Sequence, residues 1–164
     1  MQRAHRDAEF TEFYVARVRA LRRVAYVVTR DWHAAEDVTQ RALVKVYRAW
    51  SRIDGTGLEA YARRAVVNES LTWVRRRPRD VVVGSLPDVP AAEPVAPLDL
   101  DAALATLPAQ QRAVIALRFV DDRSVAETAA ALGLAEGTVK SHTAKAIATL
   151  RRHVPSLTDT KRTP

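Results

Sequence analysis

The chain contains no cysteine, which excludes disulfides, thiolate zinc sites and thiol catalysis. Glycine is scarce, at five residues in 164, while alanine, leucine, arginine and valine are abundant, a balance that favours helix over sheet. No apolar run approaches the roughly 20 residues that a membrane helix needs. Met1 to Phe10 is polar and charged and lacks the apolar core of a secretion signal. The expectation is a soluble, all-α protein that stays in the cytoplasm, with no membrane insertion. Histidines are few as well: His5, His33, His142 and His153 are dispersed, with no pair at metal-ligand spacing. No glycine-rich loop could cradle a phosphate, and Glu36–Asp37 fits the start of a helix better than a pair of acid/base carboxylates. Neither an enzyme nor a metal or cofactor site is expected.

What the sequence does have is positive charge, with a net of +7 and a pI near 10.3. A strongly basic soluble chain usually meets a polyanion. Residues 1–79 hold 17 Lys/Arg against nine Asp/Glu, residues 80–101 hold five acids and no base, and residues 102–164 hold nine bases and five acids. The order is basic, acidic, basic. A solubility role for this charge competes with nucleic-acid binding on composition alone.

Apolar spacing divides the chain into two small helical domains. Phe10, Phe13, Tyr14, Val18, Leu21, Ala25 and Val28 recur at three and four residues and predict a helix from Ala8 to Arg30. Asp31 can cap a second helix, about Trp32 to Trp50, with Ala35, Val38, Ala42, Val46 and Ala49 inward and Glu36 and Asp37 in its first turn. Ser51 to Gly57, with two glycines and Asp54, reads as a loop. A third helix, about Leu58 to Arg77, buries Leu58, Ala62, Ala65, Val66 and Trp73 before Pro78 stops it. The first domain is therefore placed at 1–77. Five prolines in 78–98 forbid a continuous helix and predict a semi-extended acidic linker. The second domain, 99–153, opens on Leu100, Ala103, Leu104 and Leu107, restarts at Pro108 and turns at Asp121–Arg123. Residues 154–164 are left as a tail.

The most specific signal lies in that second domain. Ser124 and Glu127 have the spacing of a capping box, Ala129 is small where two helices cross, and Gly133 can take the left-handed conformation that ends a helix. Thr138, Lys140, Ser141, His142 and Lys145 then face outward at the start of the last helix. This is the layout of a helix-turn-helix, with hydroxyls and lysines placed for phosphates and base edges in a major groove. A plain helical hairpin is the competing structural reading. On its own, the motif suits a free-standing repressor or response regulator equally well.

Three further stretches separate these possibilities. Leu107–Pro108–Ala109–Gln110–Gln111–Arg112–Ala113–Val114, followed by Gly137–Thr138–Val139–Lys140–Ser141, resembles the C-terminal domain of extracytoplasmic-function sigma factors of bacterial RNA polymerase. Ala35–Glu36–Asp37–Val38–Thr39–Gln40 with Tyr47–Arg48–Ala49–Trp50 resembles the helix by which their N-terminal domain grips core polymerase. Ala60 to Asn68, ending in Trp73–Val74–Arg75–Arg76–Arg77, resembles their minus-ten-reading helix. The closest flavour is the short, SigE-like actinobacterial group, and the resemblance covers about residues 8–153.

The resemblance implies a promoter-recognition subunit that binds core polymerase at its clamp helices and flap and directs initiation at minus-ten and minus-thirty-five elements. It assigns core binding to Asp37, Gln40, Val44, Lys45, Tyr47 and Arg48. Single-strand minus-ten contacts fall to Arg63, Arg64, Asn68, Trp73, Arg75, Arg76 and Arg77, with Arg52 and Asp54 in a specificity loop. Thr138, Lys140, Ser141, His142 and Lys145 would read minus-thirty-five DNA. Phosphate contact and stacking of unpaired bases suit arginines and aromatics, although core packing is the favoured reading of Trp73. An anti-sigma partner is a further expectation from the family. A free-standing regulator would account for residues 100–153 and leave the arginine-rich third helix unexplained. A membrane-surface protein would need an apolar face that is absent.

Overall fold

The structure, a computed structural model, describes residues 1–77 and 98–155. The linker expected at 78–98 lies outside them apart from Leu98, and so does the tail beyond Pro155. The described residues are helical, without a strand, and form an N-terminal and a C-terminal helical unit. The first holds α1 (Gln2–Thr29), α2 (Trp32–Ala49) and α3 (Gly55–Arg76). The second holds α4 (Leu98–Ala105), α5 (Ala109–Ile115), α6 (Val125–Leu132) and α7 (Glu136–His153).

Local chemistry sets most boundaries. The Asp31 carboxylate accepts from Ala34 N–H at 3.0 Å and starts α2. Asp54 does the same for α3 through Gly57 N–H at 3.3 Å. Ser124 and Glu127 form the reciprocal capping box of α6, and Gly133, at φ 65°, ends it. The inward residues expected on α2 are all buried, as are Leu58, Ala62, Ala65 and Val66 on α3.

Three expectations are corrected. First, α1 begins at Gln2 rather than Ala8, because its polar first turns are tied down sideways. Arg6 donates to Tyr47 Oη at 2.8 Å, Tyr47 donates to Asp7 at 2.7 Å, and Phe10 packs edge-on against Tyr47 and Trp50. Second, the 51–57 loop is shorter than its glycines implied. Trp50–Arg52 is a 3₁₀ turn, and Gly55 and Gly57 already belong to α3. Gly57 serves close approach, since a Cβ there would sit 2.8 Å from Ile53 Cγ2. Third, Glu36 and Asp37 lie one turn beyond the first turn of α2, which holds no acid, so the dipole argument for them fails.

The main apolar cluster runs through both units. It joins Val24, Val28, Val38, Val46, Val66 and Val67 to Leu104, Leu107, Ile115, Leu117 and Leu150. A smaller cluster of Val114, Ala129 and Val139, flanked by Val125, Leu132 and Leu134, holds α5, α6 and α7 together. Between α5 and α6 the chain passes through one π-helical turn, Ala116–Val120, closed by Asp121 N–H on Ala116 O at 3.0 Å.

Candidate nucleic-acid and polymerase interfaces

The helix-turn-helix is built as its sequence required. Its small core lies under Ala129 and Val139, and α6 and α7 pack on α5. Lys140, Ser141 and Lys145 are exposed on the first half of α7, with Thr138 and His142 half-buried beside them. Ala135 occupies the N-cap of α7 and makes no side-chain cap bond, so backbone N–H groups of the first turn lack that partner. One turn of exposed donors with two lysines near a helix N-terminus suits phosphate oxygens.

On α2, Gln40, Val44, Tyr47 and Arg48 line one groove of about 290 Å³ together with Phe10, Tyr14 and Leu43. Four of the six residues expected to bind polymerase therefore share a single concave, mixed apolar and polar surface. Val44 is 48% exposed, and Gln40 donates to Tyr14 Oη at 3.1 Å. Lys45 lies to one side, ion-paired with Glu69 of α3, and Asp37 is exposed a turn earlier. Tyr47 is half-committed, since its hydroxyl bonds Arg6 and Asp7.

On α3 the expected single-strand residues separate into two groups. Asn68, Arg75 and Arg76 are exposed, and Arg77 stacks over the Trp73 ring at 4.9 Å. Trp73 itself is partly buried against the main cluster, so its ring is divided between packing and surface. Arg63 and Arg64 point the other way, into the second unit. Arg63 is 6% exposed and donates through Nε to Asp121 at 3.0 Å, while Arg64 donates to Ala130 O at 3.3 Å. In the specificity loop, Arg52 is exposed and Asp54 is occupied in capping α3.

Sequence reasoning missed the seam between the two units. Arg112, read only as part of a motif, is buried and donates to Val28 O at 2.9 Å and Leu107 O at 2.6 Å. Burial, reinforced by nearby Arg30, pushes its guanidinium down to about 10, so it remains charged at neutral pH. Arg30 ends α1 in the left-handed conformation at φ 62°, bonds Asp101 O at 2.8 Å and pairs with the Asp101 carboxylate at 2.5 Å. Tyr26 donates to Asp101 at 3.1 Å, and burial pushes its phenol up, keeping it a donor. Each of these contacts joins positions far apart in the chain, so no local pattern announces them.

Comparison with known proteins now decides the family. The sigma-70 region 2 profile matches residues 13–80, and the sigma-70 region 4 profile matches residues 98–150. The chain is 37% identical over 157 residues to the RNA polymerase sigma-E factor of Streptomyces avermitilis, covering 90% of this chain and 86% of that protein. The chain belongs to the extracytoplasmic-function sigma factors. It is also 39% identical over 153 residues to the sigma-E factor of Streptomyces coelicolor, covering 89% of this chain and 86% of that one. Among solved structures, the sigma factor RpoE of Bartonella quintana, crystallised with the anti-sigma factor NepR, superposes with a TM-score of 0.75 at 28% identity. That match covers 94% of this chain and 99% of the other.

As a sigma factor, the chain is a promoter-specific initiation factor of RNA polymerase, and the two matched regions correspond to the two helical units. Region 2 contains the α2 groove and the arginines of α3, and region 4 contains the helix-turn-helix. No helix among the described residues is long and apolar enough to cross a membrane.

Proposed function

We propose that this sigma factor docks on the clamp helices of core polymerase through the α2 groove. Asp37, Gln40, Val44, Tyr47 and Arg48 are the contact residues, and Lys45 is held beside them by Glu69. The observation that carries this reading is the shared groove, because a half-exposed valine ringed by polar groups is a surface a partner helix can cover. Residues 1–77 form the core- and minus-ten-binding domain, and residues 99–153 form the minus-thirty-five-binding domain on the polymerase flap. Between them, 78–98 is the linker, followed at the far end by the 154–164 tail. Asn68, Trp73, Arg75, Arg76 and Arg77, with Arg52 and Asp54, contact the unpaired minus-ten strand, and Arg63 and Arg64 join them once freed from the second unit. Thr138, Lys140, Ser141, His142 and Lys145 read the minus-thirty-five duplex, with lysines on phosphates and the other side chains nearer base edges.

Polymerase performs the catalysis, and the chain acts in the cytoplasm without enzymatic activity of its own. An anti-sigma protein is a natural further partner, because a fold neighbour was crystallised with one. The test is capture of purified core polymerase by the full chain, comparing the wild type with a Asp37→Arg, Gln40→Ala double variant. Stoichiometric binding that the folded variant loses supports the docking face. Binding retained by the variant moves that face elsewhere, and specific duplex binding without core binding favours a free-standing regulator.

A further inference from the structure

The two arginines with which α3 would meet DNA are already occupied, and the occupant is the chain itself. Asp121 sets its carboxylate against Arg63 at 3.0 Å, with Arg123 on the same oxygen at 3.4 Å. The π-turn positions it, since Arg123 N–H closes on Leu117 O at 2.8 Å and Arg118 Nη1 donates to Arg123 O at 2.7 Å. Arg64 meets Ala130 O in the last turn of α6, where helix carbonyls are unpaired and the dipole favours a cation. Arg112 returns the same kind of contact from the second unit to the carbonyl end of α1. Asp101, from the acidic stretch, holds Arg30 and Tyr26.

Acids and carbonyls of one unit thus stand where phosphate oxygens would stand. A carboxylate offers a guanidinium the same pair of anionic oxygens that a phosphate does. With its bases otherwise solvated, a basic protein has no electrostatic need for this pairing, yet Arg63 is 6% exposed.

We propose that Asp121 latches the free sigma factor closed by mimicking a DNA phosphate against Arg63, so that region 4 masks the minus-ten-reading helix until polymerase opens the chain. The inference rests on the assignment of α3 to single-strand DNA. Closure and strand binding exclude one another at Arg63, so affinity for single-stranded DNA falls by the fraction of molecules that are open. Weakening the latch raises that fraction, without any change at the DNA-contacting side chains.

The experiment uses the full-length chain and a fluorescein-labelled single-stranded DNA of mixed sequence, read by anisotropy. Asp121→Asn is compared with Asp122→Asn, an exposed neighbour that changes the charge equally and leaves the latch intact. Asp122 sits at φ 52°, which asparagine tolerates. The latch predicts that D121N binds roughly tenfold tighter than D122N, that small-angle scattering shows an expanded chain, and that adding Arg63→Ala removes most of the gain. Equal affinity and equal size for D121N and D122N would overturn it. Should D121N lose helix by circular dichroism, arginine modification of the wild type decides instead. Phenylglyoxal should spare Arg63 while labelling exposed Arg52, and equal labelling rates sink the latch. Capture of core polymerase is run alongside. Core binding with no D121N effect removes the latch and leaves the promoter-recognition reading standing, whereas loss of core binding by the wild type removes that reading itself.

Discussion

Arg112 shows how far a single side chain departs from what its type predicts. Arginine is rarely buried unless paired, and here the pairing is with backbone oxygens rather than a carboxylate. Val28 O belongs to the last turn of α1, which has no partner within its own helix, and Leu107 O closes the turn before α5. Burial has lowered the guanidinium to about 10, which means that the charged form costs more here than in water and that these carbonyls offset the cost. Truncation at this position leaves two carbonyls short of a donor. Arg112→Met should therefore lower unfolding free energy by about 1–3 kcal/mol, read from urea melts at neutral pH. A loss below a few tenths would show that water replaces the guanidinium. The motif around Leu107 and Pro108 was legible in the sequence because its order is distinctive. The burial of Arg112 was not, because its partner carbonyl lies 84 residues earlier in the chain.

Single elements were the most readable scale, since caps and breakers act within four residues of one another. Asp31, Asp54, Ser124 with Glu127, and Gly133 all mark the boundaries that their chemistry dictates. Where element ends depend on distant side chains, reading failed: the start of α1 is held by Tyr47 and Trp50, which no periodicity in residues 2–8 reveals. α6 and α7 carry opposite lessons about capping. Glu127 accepts from the Ser124 backbone at 2.8 Å, and this bond, with the Ser124 side chain next, holds its carboxyl below the ordinary glutamate range. A depressed acid contributes stability above its unfolded pKa, near 4.3, and loses it as pH falls through the lower folded value. The melting-temperature gap between wild type and Glu127→Gln should thus be full at pH 6 and narrow progressively below about pH 4. A gap independent of pH would mean that the carboxylate charge plays no part. At the next helix, Ala135 leaves the N-cap of α7 without a side-chain acceptor. Ala135→Ser should stabilise the protein by about 0.5–2 kcal/mol in urea melts, and no gain would show that the first-turn donors are already satisfied by solvent.

At the scale of the whole molecule, two units that composition and spacing separate share one apolar cluster. Val28 and Val66 belong to the same cluster as Leu107 and Leu117, and the polar ties of Arg30, Arg63 and Arg112 lie along the same seam. The sequence could show a basic first unit and an acidic stretch after it, but not that Asp101 and Asp121 would be the acids to cross over. Those choices depend on how the helices pack, which no local pattern encodes. Small domains bury too little surface to be firmly stable alone, so joining two through one core raises the stability of each. It also couples them, because neither half can unfold without exposing the surface the other covers. The free wild-type chain should therefore unfold in one transition by scanning calorimetry, with calorimetric and van't Hoff enthalpies in agreement. Removing the polar ties with Asp101→Asn and Asp121→Asn together should break that agreement, the van't Hoff value falling below the calorimetric one as the halves begin to melt separately. Two resolved transitions in the wild type would instead place the seam outside the cooperative core, and with it the closed state on which the latch depends.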